Sequence, residues 1–150
     1  MKLLVFSLIP AFILPNLNAK ERTDGREKPV VYNHTLKDGD PGDQMVRARY
    51  GKKYRIVEFR NDPTYIPSKN TKRIAPTPQR DAAGNLLTGS VRLCLIVTTE
   101  GRVLEPFVER STNRKLDPVV LEVIKQWRGT PARLNGQPIS IALYQDFTFR

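Results

Sequence analysis

The stretch that decides the fold reads GSVRLCLIVTTEGRVLEPFVERSTN over residues 89–113 and continues as KLDPVVLEVIKQWRG over residues 115–129. Apolar residues alternate along its first part and therefore share one face of a β-strand: Val91, Leu93, Leu95 and Val97. Gly101 after Glu100 predicts a tight turn, because glycine accepts the positive φ that a hairpin needs. We therefore expect a second, antiparallel strand over residues 105–110.

The second half of this stretch has the period of a helix. Asp117 stands at the predicted N-cap and Pro118 at the first helical position, where its missing N–H costs no hydrogen bond. Gly129 is predicted to end the helix. The apolar positions follow the spacing i, i+3, i+4, i+7 and are Val120, Val123, Ile124 and Trp127. This stripe and the strand face can both be buried only against each other, so Trp127 is predicted to anchor the core.

Residues 137–149 (QPISIALYQDFTF) are predicted to form a long final strand. By parity, Ile139, Ile141 and Leu143 share the more apolar face, which we expect to face the helix. Parity does not decide whether both edges of this strand are paired, because that depends on strand order. The predicted fold class is α+β: a small antiparallel sheet with one helix packed on one face, in the order β-β-α-β, preceded by an accessory β-hairpin.

Residues 1–19 are predicted to be a signal peptide. Lys2 precedes an apolar run that, at about 12 residues, is too short to span a bilayer of about 30 Å. We expect cleavage near Ala19 and a periplasmic or secreted mature protein; retention of the segment as an anchor is the alternative. Residues 20–44 are predicted to be a flexible leader, because they begin with KERTDGREK, which has no apolar side chain.

Residues 45–60 are predicted to form the accessory hairpin. Their sequence, MVRARYGKKYRIVEFR, interleaves basic and aromatic residues, a pattern that can bind single-stranded nucleic acid. A signal peptide argues against nucleic acid as the partner and favours an anionic envelope surface, in line with the net charge of +10. Residues 61–88 are predicted to be a proline-rich connector that is mostly extended, because proline disfavours helix at the residue before it.

Patterns of catalytic and metal-binding residues are scarce. His34 is the only histidine and Cys94 the only cysteine, so neither a nucleophile–base pair nor a cluster of metal ligands is visible. The segment DGDPGD (38–43) fails the calcium-loop pattern, because Arg49 stands where a bidentate glutamate is needed. Cys94 is predicted to be buried mid-strand, with an intermolecular disulfide as the alternative. We therefore expect no enzyme activity, no cofactor and no metal site.

The order of these elements resembles the C-terminal domain of the TonB family. The resemblance covers residues 89–150 and rests on the motifs G-x-V-x-L-x-x-x-V, L-D-P, W-R, P-A and N-G in that order. The chain lacks the long proline-rich spacer and the durable transmembrane anchor of the family, so it is expected to be a divergent member. The matching positions are Gly89, Val91, Leu93, Val97, Gly101, Ser111, Leu116, Asp117, Trp127, Arg128, Pro131, Ala132, Asn135, Gly136 and Phe149.

The resemblance implies a binding function. Domains of this family receive an extended peptide from an outer-membrane transporter as a strand beside the last strand of the sheet. A proline at Leu143 or Gln145 should then weaken peptide capture, because it removes a main-chain donor. The alternative is a structural or interaction protein of the envelope, which self-pairs into a homodimer or binds anionic surfaces. The partner-binding residues that the resemblance implies are Ser140, Leu143, Gln145 and Phe147.

Overall fold

The computed structural model describes residues 27–33, 41–58 and 62–150; the predicted signal peptide and His34 lie outside this part. Two helices occur in these ranges, α1 (Pro41–Tyr50) and α2 (Asp117–Lys125), and a 3₁₀ turn (Arg114–Leu116) leads into α2. The strands are β1 (Val30–Asn33), β2 (Arg55–Glu58), β3 (Lys69–Lys72), β4 (Gly89–Val97), β5 (Val103–Ser111), β6 (Arg128–Thr130), β7 (Ala132–Leu134), β8 (Gln137–Ile139) and β9 (Ile141–Phe149). The central sheet has the order β2-β1-β9-β4-β5.

β4 and β5 form the predicted antiparallel hairpin. At its turn, Gly101 has a φ of 74°, and a Cβ at this position would collide with the main-chain oxygen of Gly129. Only glycine meets both requirements. The predicted apolar face of β4 is buried, since Val91 and Leu93 are 0% exposed and Leu95 is 2% exposed.

α2 packs on this buried face, as predicted. Val120 and Ile124 are its buried residues, and Leu116 and Trp127, which flank the helix, are buried as well. The predicted N-cap at Asp117 is wrong, because the 3₁₀ turn starts the helical segment three residues earlier. Asn113 caps that turn instead, and its side-chain oxygen accepts a hydrogen bond of 3.2 Å from the amide of Lys115.

The accessory hairpin predicted over residues 45–60 is wrong. Residues 45–50 belong to α1, and β2 pairs in parallel with β1 as the outer strand of the central sheet. Val46 and Tyr50 lie one helical turn apart and are both buried. Their burial favours a helix more strongly than the period-two spacing of Arg47 and Arg49 favours a strand. β1 and the start of α1 also lie within the leader predicted over residues 20–44, so the described part of that segment forms regular structure.

α1 covers the face of the sheet opposite α2. A second group of buried residues lies where α1 meets the sheet: Val31, Val46, Tyr50, Cys94, Ile96 and Ala142. The α+β class, the antiparallel part β5-β4-β9 and the helix on one face are therefore confirmed. The parallel strands β1 and β2 and the second helix were not predicted. Within the described ranges, neither helix has the length and apolar content needed to cross a membrane.

The predicted final strand is divided at Ser140. β8 pairs with β7 across a turn at Asn135 and Gly136, which have φ values of 49° and 76° as a tight hairpin turn requires. β9 then pairs with β4 along its whole length. The proline-rich connector contributes β3, which pairs with β6 beside the central sheet.

Candidate functional site: an open strand edge

β9 lies in the middle of the central sheet, but only one of its two sides is paired along its full length. β4 pairs with it from Ile141 to Phe149, whereas β1 meets the other side only at Ile141 and Ala142. From Leu143 to Phe149, no strand in the described ranges covers the side on which β1 lies. We call this side of residues 143–149 the open edge. Such an edge presents main-chain groups with which another strand can pair.

The hydrogen bonds of neighbouring strands show which residues face the open edge. The amide of Tyr32 in β1 donates to the oxygen of Ser140 at 2.9 Å, so even-numbered residues here direct their main-chain groups towards β1. The amide of Thr112 likewise donates to the oxygen of Ser90 at 2.9 Å, which directs even-numbered β4 residues towards β5 and odd-numbered ones towards β9. Both observations place the main-chain N–H and C=O groups of Asp146 and Thr148 on the open edge.

Gln145 makes a side-chain contact at this edge. Its Nε2 donates to the main-chain oxygen of Asp146 at 2.9 Å. The carbonyl of Asp146 is therefore within reach of a donor that approaches from outside the sheet. An incoming strand that pairs here would replace the Gln145 amide with a main-chain N–H.

The carboxylate of Asp146 is held away from the open edge by Arg92. The two residues lie directly opposite each other on β9 and β4. The guanidinium donates through Nε at 2.7 Å and through Nη2 at 3.0 Å, and this hydrogen bonding raises the pKa of Arg92. The bidentate pair holds the Asp146 side chain over β4. The carboxylate therefore does not cover the main-chain groups of Asp146 at the open edge.

Two of the predicted partner-binding residues have other contacts and present no main-chain group to the open edge. The main-chain oxygen of Ser140 already accepts the hydrogen bond from Tyr32, so this residue lies beside β1. Phe147 is 7% exposed and packs against Trp127, with ring centroids 5.6 Å apart. Phe147 is thus a core residue whose main chain faces β4.

Leu143 and Gln145 do lie along the open edge, but their main-chain groups face β4. A proline at either position would break the ladder between the two longest paired strands, so the predicted proline test does not probe capture. Asp146 and Thr148 are the residues that sequence reasoning missed. Nothing in the sequence of β9 identifies them, because the side that stays open is decided by where β1 pairs.

Among the described residues, the remaining reactive groups do not form a site. Cys94 is 1% exposed and burial raises the pKa of its thiol to about 12, which disfavours the thiolate needed for an intermolecular disulfide. No cluster of potential metal ligands occurs among the residues that the structure describes. Of the acidic segment 38–43, Asp43 is bonded to Asn33 at 2.8 Å and to Arg47 at 2.7 Å.

Two of the described basic residues of segment 45–60 form ion pairs. Arg47 pairs with Asp43 and with Glu58, the latter at 3.0 Å. Lys53 pairs with Glu105 at 3.0 Å. These pairs neutralise part of the basic surface on which the anionic-surface hypothesis rests.

Two helices on opposite faces of a mixed sheet, with a strand side that no described strand covers, define a small α+β domain. Residues 78–150 match the family described as the Gram-negative bacterial TonB protein C-terminal, so this part of the chain is similar to that family. Its domains are non-enzymatic interaction modules, so the prediction that the chain is not an enzyme is confirmed. The match supports a TonB-like binding module associated with envelope transport for residues 78–150, and TonB family proteins are periplasmic.

A solved structure gives a further comparison. The solution NMR structure of the Pseudomonas aeruginosa TonB C-terminal domain is 25% identical, with 60% of this chain and 89% of that chain covered and a TM-score of 0.47. No curated protein matches the chain.

Proposed function

We propose that the chain captures an extended peptide of an outer-membrane transporter as a strand added along the open edge. The observation that carries the proposal is the outward direction of the main-chain groups of Asp146 and Thr148 on a strand side that no strand of the described ranges covers. In strand addition, main-chain hydrogen bonds provide affinity and alternate side chains meet pockets. TonB C-terminal domains bind outer-membrane transporters, which supports a transporter as the source of the peptide.

The open edge has few of the features that protect strand edges from pairing. Proline, lysine and bulges are common protections, yet residues 139–150 contain neither proline nor lysine. The register between β4 and β9 also runs without a bulge, from Gly89 opposite Phe149 to Val97 opposite Ile141. β9 is therefore a regular template fixed by β4, and an added strand needs little rearrangement of the sheet.

The number of main-chain bonds limits the affinity that this edge can supply. Asp146 and Thr148 each offer one donor and one acceptor. At about 0.5–1.5 kcal/mol per hydrogen bond, these four groups give about 2–6 kcal/mol before the cost of association. A free energy of binding of about 8 kcal/mol corresponds to micromolar affinity, so contacts from side chains are needed as well.

A matched pair of variants at Thr148 tests the proposal. Thr148→Pro removes the outward main-chain donor, whereas Thr148→Val keeps the donor and the β-branched shape. Titration of a labelled synthetic peptide from the N-terminal segment of a transporter should show binding to wild type and to Thr148→Val. Thr148→Pro should bind at least about tenfold more weakly, the effect of losing roughly 1.4 kcal/mol. Urea unfolding curves of both variants serve as the control for folding.

Two results would contradict strand addition at this edge. The first is a wild-type protein that binds no such peptide at high concentration. The second is an affinity of Thr148→Pro equal to that of wild type when both are folded.

The alternative, self-pairing, uses the same edge. A second copy of β9 fits antiparallel to the first about a two-fold axis, which would give a homodimer. Analytical ultracentrifugation separates the two functions. A monomer that binds peptide supports capture, whereas a dimer that is lost in Thr148→Pro supports a structural role.

A further inference from the structure

A cavity of about 310 Å³ lies on the α2 side of the sheet next to Phe147. An apolar cavity of about 150 Å³ is already large enough to hold benzene, so this one has room for a large side chain. One wall is the connector segment 73–76, which we call the strap. The lining residues are Arg73, Ile74, Ala75, Pro76, Trp127 and Phe147.

The walls of the cavity are held in place by specific contacts. Trp127 Nε1 donates to the main-chain oxygen of Ile74 at 2.8 Å, which fixes the strap to the end of α2. The guanidinium of Arg73 lies 4.7 Å from the centre of the Trp127 ring. Trp127 and Phe147 are both nearly fully buried. The cavity is thus part of the folded structure and does not need a ligand to form.

The cavity and the open edge share Phe147. This residue lies between Asp146 and Thr148, and its side chain points to the α2 face. Directly opposed residues of paired strands point to the same face, with their Cβ atoms about 4.5–5.5 Å apart. The side chain of an added strand beside Phe147 therefore points to the face on which the cavity lies.

Resting on the proposed strand addition, we propose that this cavity is the specificity pocket for the captured peptide. It takes a large apolar side chain, such as Phe, Leu or Ile, from the peptide residue beside Phe147. The indole and phenyl rings provide apolar surface, and Arg73 at the rim disfavours a lysine or arginine at that position. The pocket also supplies affinity that the main-chain bonds of Asp146 and Thr148 lack.

Peptide pairs that differ at a single position test the pocket. A phenylalanine is placed in turn at each position of a transporter-derived peptide whose other side chains are alanine or serine. At one position, the phenylalanine peptide should bind wild type about ten- to a hundredfold more tightly than the peptide with alanine at that position. Lysine at the same position should give no gain in affinity. If phenylalanine increases the affinity at no position, the proposal of a specificity pocket is contradicted.

A cavity-filling variant locates the effect. Ala75→Phe places a ring in the cavity and should reduce the phenylalanine gain to about one, while affinity for the all-alanine peptide stays unchanged. Ala75→Leu is the smaller second variant if the first fails to fold. Ala82→Phe is the control, because Ala82 is exposed in the same connector and does not line the cavity. A gain that persists in both Ala75 variants overturns the assignment.

The outcomes distinguish the pocket from strand addition itself. Loss of the side-chain preference with retained sensitivity to Thr148→Pro leaves strand addition intact and overturns only the pocket. Failure of every peptide to bind wild type overturns both.

Discussion

The indole Nε1 of Trp127 donates a hydrogen bond of 2.8 Å to the main-chain oxygen of Ile74. The ring also lies 5.6 Å from the ring of Phe147 in β9. Trp127 therefore joins the end of α2, the connector and the strand that carries the open edge. A polar atom on a nearly buried ring has its partner here, which is the usual arrangement for a core tryptophan.

Trp127→Ala should lower the free energy of unfolding by about 3–5 kcal/mol, because it removes a buried aromatic ring and leaves a cavity. Trp127→Phe keeps most of the apolar contact and loses the bond to Ile74, for a smaller cost of about 0.5–1.5 kcal/mol. Urea denaturation gives both values. Leu104→Ala is the control, since Leu104 is 39% exposed and should change stability by less than about 1 kcal/mol. An unchanged transition for Trp127→Ala would mean that the ring does not anchor the core.

Tyr50→Phe should destabilise the protein by about 1–3 kcal/mol, the cost of leaving a buried acceptor without its donor. Tyr50 is the last residue of α1 and is fully buried, and its hydroxyl donates to the main-chain oxygen of Glu105 at 2.7 Å. Glu105 has a φ of 46°, a conformation that costs a non-glycine residue energy, so this bond supports a strained position in β5. Thermal unfolding measures the loss.

Tyr54→Phe is the matched control for this prediction. Its hydroxyl donates to the carboxylate of the same Glu105 at 3.2 Å, but the residue is only partly buried. It should cost less than about 1 kcal/mol. Equal effects of the two substitutions would show that burial of the Tyr50 hydroxyl is unimportant.

Cys94 should make stability fall as the pH rises above 9. Burial raises the pKa of its thiol from an ordinary value of 9.0 to about 12 in the folded protein. Between these values the unfolded chain has lost the thiol proton and the folded chain keeps it, so the free energy of unfolding decreases with pH. The slope from one group is at most about 1.4 kcal/mol per pH unit, and below pH 9 the contribution is fully present.

Urea unfolding of wild type and Cys94→Ala between pH 8 and 11 isolates this contribution. The variant has a constant offset from lost packing, but its stability should decline less steeply above pH 9. Burial raises the pKa of Tyr50 as well, and Cys94 is the second cause of that shift, so the same comparison in a Tyr50→Phe background removes the tyrosine contribution. Parallel curves across the whole range would contradict a buried, protonated thiol.

Local pattern was sufficient for the hairpin and α2. The alternation from Val91 to Leu95 has the period of a strand, and the apolar stripe that ends at Trp127 has the period of a helix. Each apolar face can be buried only against the other. α1 was missed because Arg47 and Arg49 alternate with apolar neighbours as in a strand. The decisive spacing was the buried pair Val46 and Tyr50, and which apolar residues are buried depends on the rest of the sheet.

The open edge could be predicted only in part. The lack of proline and lysine in β9 is visible in the sequence, and it correctly marks a strand without edge protection. The outward-facing residues are not visible, because β1 must first pair with Ile141 and Ala142 to set which side is covered. A contact across more than 100 positions in the chain decides whether Gln145 or Asp146 faces outwards, and no local period encodes it.

β1 also limits the length of the open edge. It lies before residue 78, where the family match begins, and it ends the open edge at Ala142. A fragment starting at residue 78 would lack β1 and α1. Cys94 and Ile96 would then be exposed to water, and the open edge of β9 would be longer. The N-terminal segment therefore sets the length of the open edge. In the proposed strand addition, a part of the chain that precedes the family match therefore limits how many residues of the added peptide can pair with β9.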